Sequence, residues 1–118
     1  FKVINTGVTE EATIIIAAAM ALDGWKVYVY SMVNFVAFRP FEMVRNAISC
    51  HNANVKILGV KGSEAYKFLG FSHNMLYNNE DVYILKKYLK CYVPKNTKQV
   101  REVIIKSYKD AKPAYIRL

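Results

Sequence analysis

Lys26-Val-Tyr-Val-Tyr30 and Asn54-Val-Lys-Ile-Leu-Gly-Val60 are the two stretches that decide the fold of this chain. The first is rich in β-branched and aromatic residues, and both have the length of buried strands. Residues 41–51 between them are predicted to form a helix. Because strands alternate with helices along the chain, we predict an α/β domain with a mostly parallel sheet inside three α/β/α layers.

The alternation continues on both sides of these strands. Residues 1–5 open as an extended run, and a helix to Leu22 follows, with Thr9 as its N-cap and Glu10 in its first turn. The remaining predicted elements are an irregular segment over 31–40, a loop over 61–79, a helix over 80–89, a strand over 91–93, a helix capped by Thr97 and ending near residue 110, and a strand over 114–118. Ligands of parallel sheets bind outside the carboxyl ends of the strands, so we expect functional residues in segments 6–9, 31–40 and 61–79.

Composition places the chain among globular domains. It has 118 residues, 53% of them apolar, which suits one domain with a real core. No apolar run reaches the roughly 18 residues needed to cross a bilayer, and residues 1–10 lack a signal-peptide pattern. Cys50 and Cys91 fit no metal-binding spacing, which predicts two reduced thiols in a cytoplasmic protein with no membrane contact.

The net charge is +8, and much of it comes from lysines in the last third of the chain. These lysines alternate with apolar residues at helical spacing, as on the solvent-facing sides of surface helices. No glycine-flanked aromatic pair of the RNA-binding type lies among them, so we expect no nucleic-acid partner. Both ends of the chain fall within predicted strands. We therefore expect residues 1–118 to be a single domain that is a fragment or one part of a split enzyme.

The order of motifs resembles the pyrimidine-binding domain of transketolase-type thiamine-diphosphate enzymes. The resemblance is carried by Asn5-Thr-Gly-Val-Thr-Glu10, Ala17-Ala-Ala-Met-Ala-Leu22, Arg45-Asn46, Asn54-Val-Lys-Ile57, Leu69-Gly-Phe-Ser-His73, Glu80-Asp81 and Pro113-Ala-Tyr-Ile-Arg-Leu118. It is strongest toward the C-terminal subunit of split transketolases. The resemblance implies the thiamine-diphosphate-binding fold in its pyrimidine-domain form, without that domain's first strand and helix.

The same resemblance implies roles for individual side chains. Glu10 matches the glutamate that activates the cofactor through N1′ of its aminopyrimidine, and His73 matches a histidine that contacts substrate oxygens. Phe35 and Phe38 match the aromatic positions that pack on the pyrimidine ring, with Phe41 as the alternative to Phe38. Burial favours the neutral form of a carboxyl group and a helix N-terminus favours the charged form, so the protonation of Glu10 stays open.

The implied cofactors are thiamine diphosphate and magnesium, but the chain lacks the Gly-Asp-Gly motif that holds the diphosphate and its metal. No acidic cluster suits magnesium either, so we expect no metal ligand here and a partner domain or subunit that holds the ion. The resemblance implies a homodimer or heterotetramer, with the small residues 17–19 of the first helix as a contact.

The implied reaction transfers a two-carbon ketol unit between sugar phosphates. The chain departs from the family pattern in the charged residues 61–67, in Gly70-Phe-Ser-His73, and in about three extra residues within 74–79. These departures leave two alternatives open. One is a non-catalytic domain that assembles or regulates a partner. The other is a different thiamine-diphosphate reaction, as in deoxyxylulose-phosphate synthases or the beta chains of 2-oxoacid dehydrogenases.

Overall fold

The computed structural model describes residues 2–61 and 64–118. Over these residues four strands form one sheet in which every neighbouring pair is parallel. The strands are β1 (Val27–Met32), β2 (Val55–Val60), β3 (Lys90–Tyr92) and β4 (Ala114–Arg117), in the spatial order β1-β2-β4-β3. β2 and β4 lie in the centre and are almost wholly buried, as expected for a parallel sheet covered on both faces.

Four helices connect and cover these strands in the described part of the chain. They are α1 (Glu10–Leu22), α2 (Phe41–Met43, continuing without a break as the wider π-helical turns of Val44–Ser49), α3 (Glu80–Leu85) and α4 (Thr97–Lys109). A π-helical segment, Asn34–Phe38, links β1 to α2, and a 3-10 segment, Glu64–Ser72, follows β2. Gly70 kinks the 3-10 segment with a φ of 66°, which a residue with a side chain adopts only under strain.

Helices lie on both faces of the sheet, so the predicted α/β class is confirmed. Tyr28 on β1 hydrogen-bonds through its hydroxyl to Ser107 of α4 at 3.3 Å. The next residue, Val29, belongs to the core that contains Ile14 and Ala18 of α1. Successive side chains of a strand point to opposite faces. Helices α1 and α4 therefore cover opposite sides of the sheet.

Helix α1 buries its small residues inside the chain. Ala17 and Ala18 are each 3% exposed and belong to the core, so the prediction that they form an intersubunit contact is wrong. Only Ala19 of these three faces outward. Small side chains let a helix approach its own sheet closely, and this is the use that the fold makes of them.

Residues 2–5 do not form the predicted first strand. They pair with no strand among the described residues, and Val3 and Ile4 are exposed. The chain turns just after them, because Asn5 Oδ1 accepts a 2.9 Å hydrogen bond from the Gly7 amide and Gly7 has a φ of 67°. Thr9 stands at the N-cap position of α1, but its hydroxyl donates to the Thr6 carbonyl at 2.7 Å instead of capping the helix.

Asn96, and not Thr97, caps α4. Asn96 Oδ1 accepts a 2.9 Å hydrogen bond from the Gln99 amide, and Gln99 Oε1 accepts one of 2.8 Å from the Lys95 amide. The first bond satisfies a backbone donor that the first helical turn leaves unpaired, and the second satisfies the amide of the residue before the N-cap. The segment 61–79 also differs from the predicted loop, because residues 64–72 form 3-10 turns; residues 62 and 63 lie outside the described residues.

Candidate functional site

Glu10 is the first residue of α1, and its side chain is 18% exposed. Its Oε1 accepts a 3.1 Å hydrogen bond from Nη1 of Arg39, which makes this contact an ion pair. Arg39 ends the π-helical segment that follows β1, so the pair joins the start of α1 to the carboxyl end of a strand.

Phe35 lies between the charged pair and the predicted histidine. The guanidinium carbon of Arg39 is 4.2 Å from the centroid of the Phe35 ring, a cation–π distance. The ring of His73 meets Phe35 edge-on, with centroids 5.2 Å apart and planes at 83°. Glu10, Phe35 and His73 come from three separate segments and form one cluster. Within it Arg39 contacts both Glu10 and Phe35, and the Phe35 ring contacts His73.

The hydrogen bonds of Ser72 define the state of the neutral His73 ring. Ser72 Oγ lies 2.7 Å from His73 Nδ1 and also donates to the Leu69 carbonyl at 2.9 Å. A hydroxyl has one proton, so the Ser72 oxygen must accept from Nδ1–H. The neutral imidazole then presents Nε2 as a lone-pair acceptor. The Tyr66 ring stacks alongside the His73 ring, with 6.5 Å between the two centroids.

Asn34 attaches the 3-10 segment to the π-helical segment. Its Nδ2 donates to the carbonyls of Phe71 at 3.1 Å and Asn74 at 3.2 Å. Its Oδ1 is buried and has no hydrogen-bond partner among the residues that the structure describes. The two bonds hold His73 against Phe35, because Phe71 and Asn74 flank the histidine on both sides.

Phe38 ends the π-helical segment and its alternative, Phe41, begins α2. Phe38 is half-buried and packs against the hydrophobic core. Phe41 meets Tyr88 edge-on at 5.5 Å between ring centroids. The role of Phe38 toward a pyrimidine ring stays a prediction.

Sequence reasoning did not identify Arg39, Asn34 or Ser72 as parts of this site. Arg39 carried one available signal, since it is the single charged residue within the aromatic stretch 31–41 that also holds Phe35. No signal in the sequence indicated that Asn34 or Ser72 belongs to the site, because their contacts depend on which loops meet in the folded chain.

Other features of the described residues lie apart from this cluster. No group of three or more His, Cys, Asp or Glu residues is placed to hold a metal ion within 2–61 and 64–118. In the same ranges, no helix has the length and hydropathy of a membrane span. An open cavity of about 350 Å³ contains none of the predicted site residues. It is lined by Asn79, Val82, Tyr83, Lys86, Val93 and Arg117.

A family model described as "Transketolase, pyrimidine binding domain" matches residues 1–118 of the chain. The chain belongs to this family. The resemblance seen in the sequence is thereby confirmed, together with the α/β fold that it implied.

Two curated relatives and one solved structure are similar to this pyrimidine-binding domain. An apulose-4-phosphate transketolase chain of Phocaeicola vulgatus is 30% identical over 117 residues, which cover 98% of this chain and 36% of the relative. A putative transketolase C-terminal section of Methanocaldococcus jannaschii is 31% identical over 118 residues, which cover 97% of this chain and 36% of the relative. The structure titled "Split gene transketolase, inactive beta4 tetramer" superposes with a TM-score of 0.81 at 29% identity. The match covers 97% of this chain and 36% of the chain in that structure. The chain therefore spans about a third of the length of these proteins.

Proposed function

We propose that this chain supplies the aminopyrimidine-binding half of a thiamine-diphosphate-dependent transketolase. The observation that carries the proposal is the ion pair of Glu10 with Arg39, whose guanidinium lies on the Phe35 ring, in a chain that matches the pyrimidine binding domain over its whole length. Thiamine diphosphate, when bound, supplies the nucleophilic carbon that accepts and releases a two-carbon ketol unit. The donor and acceptor are sugar phosphates.

The cluster fits an aminopyrimidine ring on its own geometry. Glu10 already accepts a hydrogen bond from a planar N–H donor, the guanidinium of Arg39, and Phe35 already receives the same flat group on its face. An aminopyrimidine also has a flat face and ring nitrogens that bond to a carboxyl group. Glu10 would hold a proton at N1′ and Phe35 would orient the ring by stacking. Phe38 is proposed to pack on the same ring from the core side.

His73 is proposed to act on the substrate. With Nδ1–H directed at Ser72, the neutral ring can accept a proton from a substrate hydroxyl at Nε2, and the protonated ring can donate from the same atom. Phe35 and Tyr66 hold the ring between them. Such proton transfer by a positioned side chain contributes typically 10²–10⁴-fold to a rate.

A partner chain is part of the proposal. The diphosphate and magnesium would be held by a diphosphate-binding domain or subunit, in a homodimer or heterotetramer. The outward side of α1 supports such an association, because Ile15, Ile16 and Leu22 are all exposed there. Adjacent exposed apolar side chains on a helix mark protein contacts more often than solvent-facing surface.

The test compares Glu10→Gln with Glu11→Gln in the assembled complex of this chain and its diphosphate-binding partner. Glu11 is the neighbouring first-turn acid and is exposed, so it is a matched control. We expect Glu10→Gln to lower the rate of ketol transfer by about 10²–10⁴-fold and Glu11→Gln to leave it within twofold. Equal activity of wild type and Glu10→Gln would show that the role assigned to Glu10 is wrong.

A second candidate is a non-catalytic assembly domain of the same fold. It is favoured by the exposed aromatic side chains of Phe68, Phe71 and Tyr77, which lie within five residues of His73 in the sequence. A complex that binds thiamine diphosphate but transfers no ketol unit from any ketose phosphate would favour this candidate.

A further inference from the structure

Arg39 makes the two contacts that the proposed function assigns to the aminopyrimidine. Its Nη1 donates to Glu10 Oε1 at 3.1 Å, and its guanidinium carbon lies 4.2 Å above the centroid of Phe35. A guanidinium is flat, carries several N–H donors in one plane, and stacks on aromatic faces. In shape and in hydrogen-bonding pattern it therefore resembles a protonated aminopyrimidine.

We propose that Arg39 is a built-in placeholder, which occupies the aminopyrimidine site of the free chain and leaves when the cofactor binds. This inference rests on the proposed function, because it concerns the same carboxylate and the same aromatic ring. One face of Phe35 and one oxygen of Glu10 cannot serve both groups together. Arg39 thus competes directly with the cofactor.

The surroundings of Arg39 favour a removable group over a fixed structural one. Its side chain is 48% exposed, whereas that of Glu10 is 18% exposed, so the arginine can move into solvent without opening the core. Exposed ion pairs and cation–π contacts each contribute little to stability. By contrast, Arg117 on β4 is 4% exposed and tied to two side chains, as a structural arginine is.

In the free chain, Arg39 also holds Glu10 in position. Without Arg39, the largely buried carboxylate of Glu10 would lose the positive partner that it has among the described residues. The ion pair holds this acid in place, and the same pair must break before N1′ can reach it. Arg39 therefore lowers the affinity of the site for the cofactor and, in the free chain, keeps Glu10 in position.

The experiment measures cofactor binding by calorimetry in the assembled complex. The variants are Arg39→Met and Arg39→Lys, with Arg45→Met as control, since Arg45 is exposed and its side chain, within the part of the chain that the structure describes, bonds to neighbouring Asn46. We expect Arg39→Met to bind thiamine diphosphate roughly fivefold to tenfold more tightly than wild type. Arg39→Lys keeps the charge but loses the planar fork, so it should fall between the two. Arg45→Met should match wild type.

A second readout follows the arginine itself. In the assembled complex without cofactor, the side-chain NMR signals of Arg39 should show a ring-current shift from Phe35. Saturating thiamine diphosphate should move these signals to the positions of a solvated arginine. In a Glu10→Gln background, Arg39→Met should change the affinity for the cofactor by less than twofold. The carboxylate for which the arginine and the cofactor compete is then an amide. Weaker binding by Arg39→Met, or an unmoved Arg39 signal at saturation, would overturn the placeholder.

Failure of the inference and failure of the proposed function give different results. If wild type binds the cofactor and Glu10→Gln weakens binding, but Arg39→Met does not tighten it, only the placeholder is wrong. If neither wild type nor Arg39→Met binds thiamine diphosphate in the complex, the proposed function fails and the placeholder fails with it.

Discussion

Tyr115 on β4 donates a 2.6 Å hydrogen bond from its hydroxyl to Oδ2 of Asp81 on α3, and both side chains are 0% exposed. Arg117 donates to the other oxygen of Asp81 at 3.0 Å. The buried carboxylate is thus matched by a cation and a phenol. Burial, and after it the hydrogen bond to Asp81, raise the pKa of Tyr115 well above its usual range.

The first prediction concerns this hydrogen bond. Tyr115→Phe leaves Asp81 with one donor fewer in a water-free environment, so it should lower the free energy of unfolding by about 1–3 kcal/mol. Urea unfolding followed by circular dichroism measures the change. Tyr108→Phe removes the hydroxyl of an exposed tyrosine on α4 and should change stability by less than about 0.5 kcal/mol. Equal effects of the two variants would contradict the role given to the Asp81 contact.

The second prediction concerns Gly59 on β2, which lies against the Tyr115 ring. A Cβ at position 59 would come within 2.5 Å of Tyr115 Oη and 2.8 Å of its Cε2. Gly59→Ala should therefore destabilise the fold by about 1–3 kcal/mol through overpacking. In a Tyr115→Leu background the added methyl should cost less, because the shorter side chain leaves those positions empty. A double-mutant cycle by urea unfolding tests the coupling, and additive effects would rule it out.

The third prediction concerns Lys56, a buried lysine on β2. Its ammonium group donates to Asn54 Oδ1 and to the carbonyls of Asp110 and Lys112, which ties β2 to the connection between α4 and β4. Burial lowers the pKa of Lys56, while Asp110 acts in the opposite direction. Lys56→Met leaves these oxygens without their donor and should cost about 1–3 kcal/mol in urea unfolding. Lys87→Met, at an exposed position, is the matched control and should be nearly neutral.

The fourth prediction concerns the tautomer of His73. With Ser72 present, neutral His73 should carry its proton on Nδ1, which nitrogen-15 NMR detects directly. Ser72→Ala removes the acceptor and should shift the population toward the Nε2–H form, which is favoured in free imidazole side chains. Ser49→Ala, at the end of the π-helical turns that continue α2, removes a hydroxyl far from the histidine in sequence and should leave its spectrum unchanged. An Nε2–H tautomer in wild type would refute the assignment.

The fifth prediction concerns the two thiols. Burial, with a smaller contribution from Asp81, raises the pKa of Cys91 to about 11 from an ordinary value of 9.0. At pH 8, iodoacetamide should label the exposed Cys50 first and Cys91 only after unfolding.

The same pKa shift makes stability depend on pH with a definite sign. Between about pH 9 and 11, folded Cys91 keeps a proton that the unfolded chain loses, so stability falls as pH rises through this range. Cys91→Ala should flatten this decline relative to wild type, and Cys50→Ala should not. An equal slope in wild type and Cys91→Ala would contradict the raised pKa of Cys91.

The order of strands and helices was readable from the sequence because it depends on local patterns. The β-branched runs at 26–30 and 54–60 formed strands within two residues of their predicted bounds, and Asp23-Gly24 ended α1 as predicted. Residues 1–5 had the same local character, yet 2–5 form no strand. A strand exists only where a neighbour completes its hydrogen bonds, and no local pattern supplies that neighbour.

For the candidate site, the sequence by itself predicted that segments 31–40 and 61–79 would meet, because the carboxyl ends of parallel strands gather at one edge. The same reason does not apply to segment 6–9, because residues 2–5 form no strand. Glu10, Phe35 and His73 were each predicted from the motif order, and their functional roles stay predictions. Only the tertiary structure decided that Arg39 lies on Phe35 and pairs with Glu10, and that Ser72 orients His73. Glu10 and Arg39 are 29 residues apart, and their contact depends on the path of the π-helical segment. Such a path follows from packing of the whole domain, so no local period in the sequence encodes it.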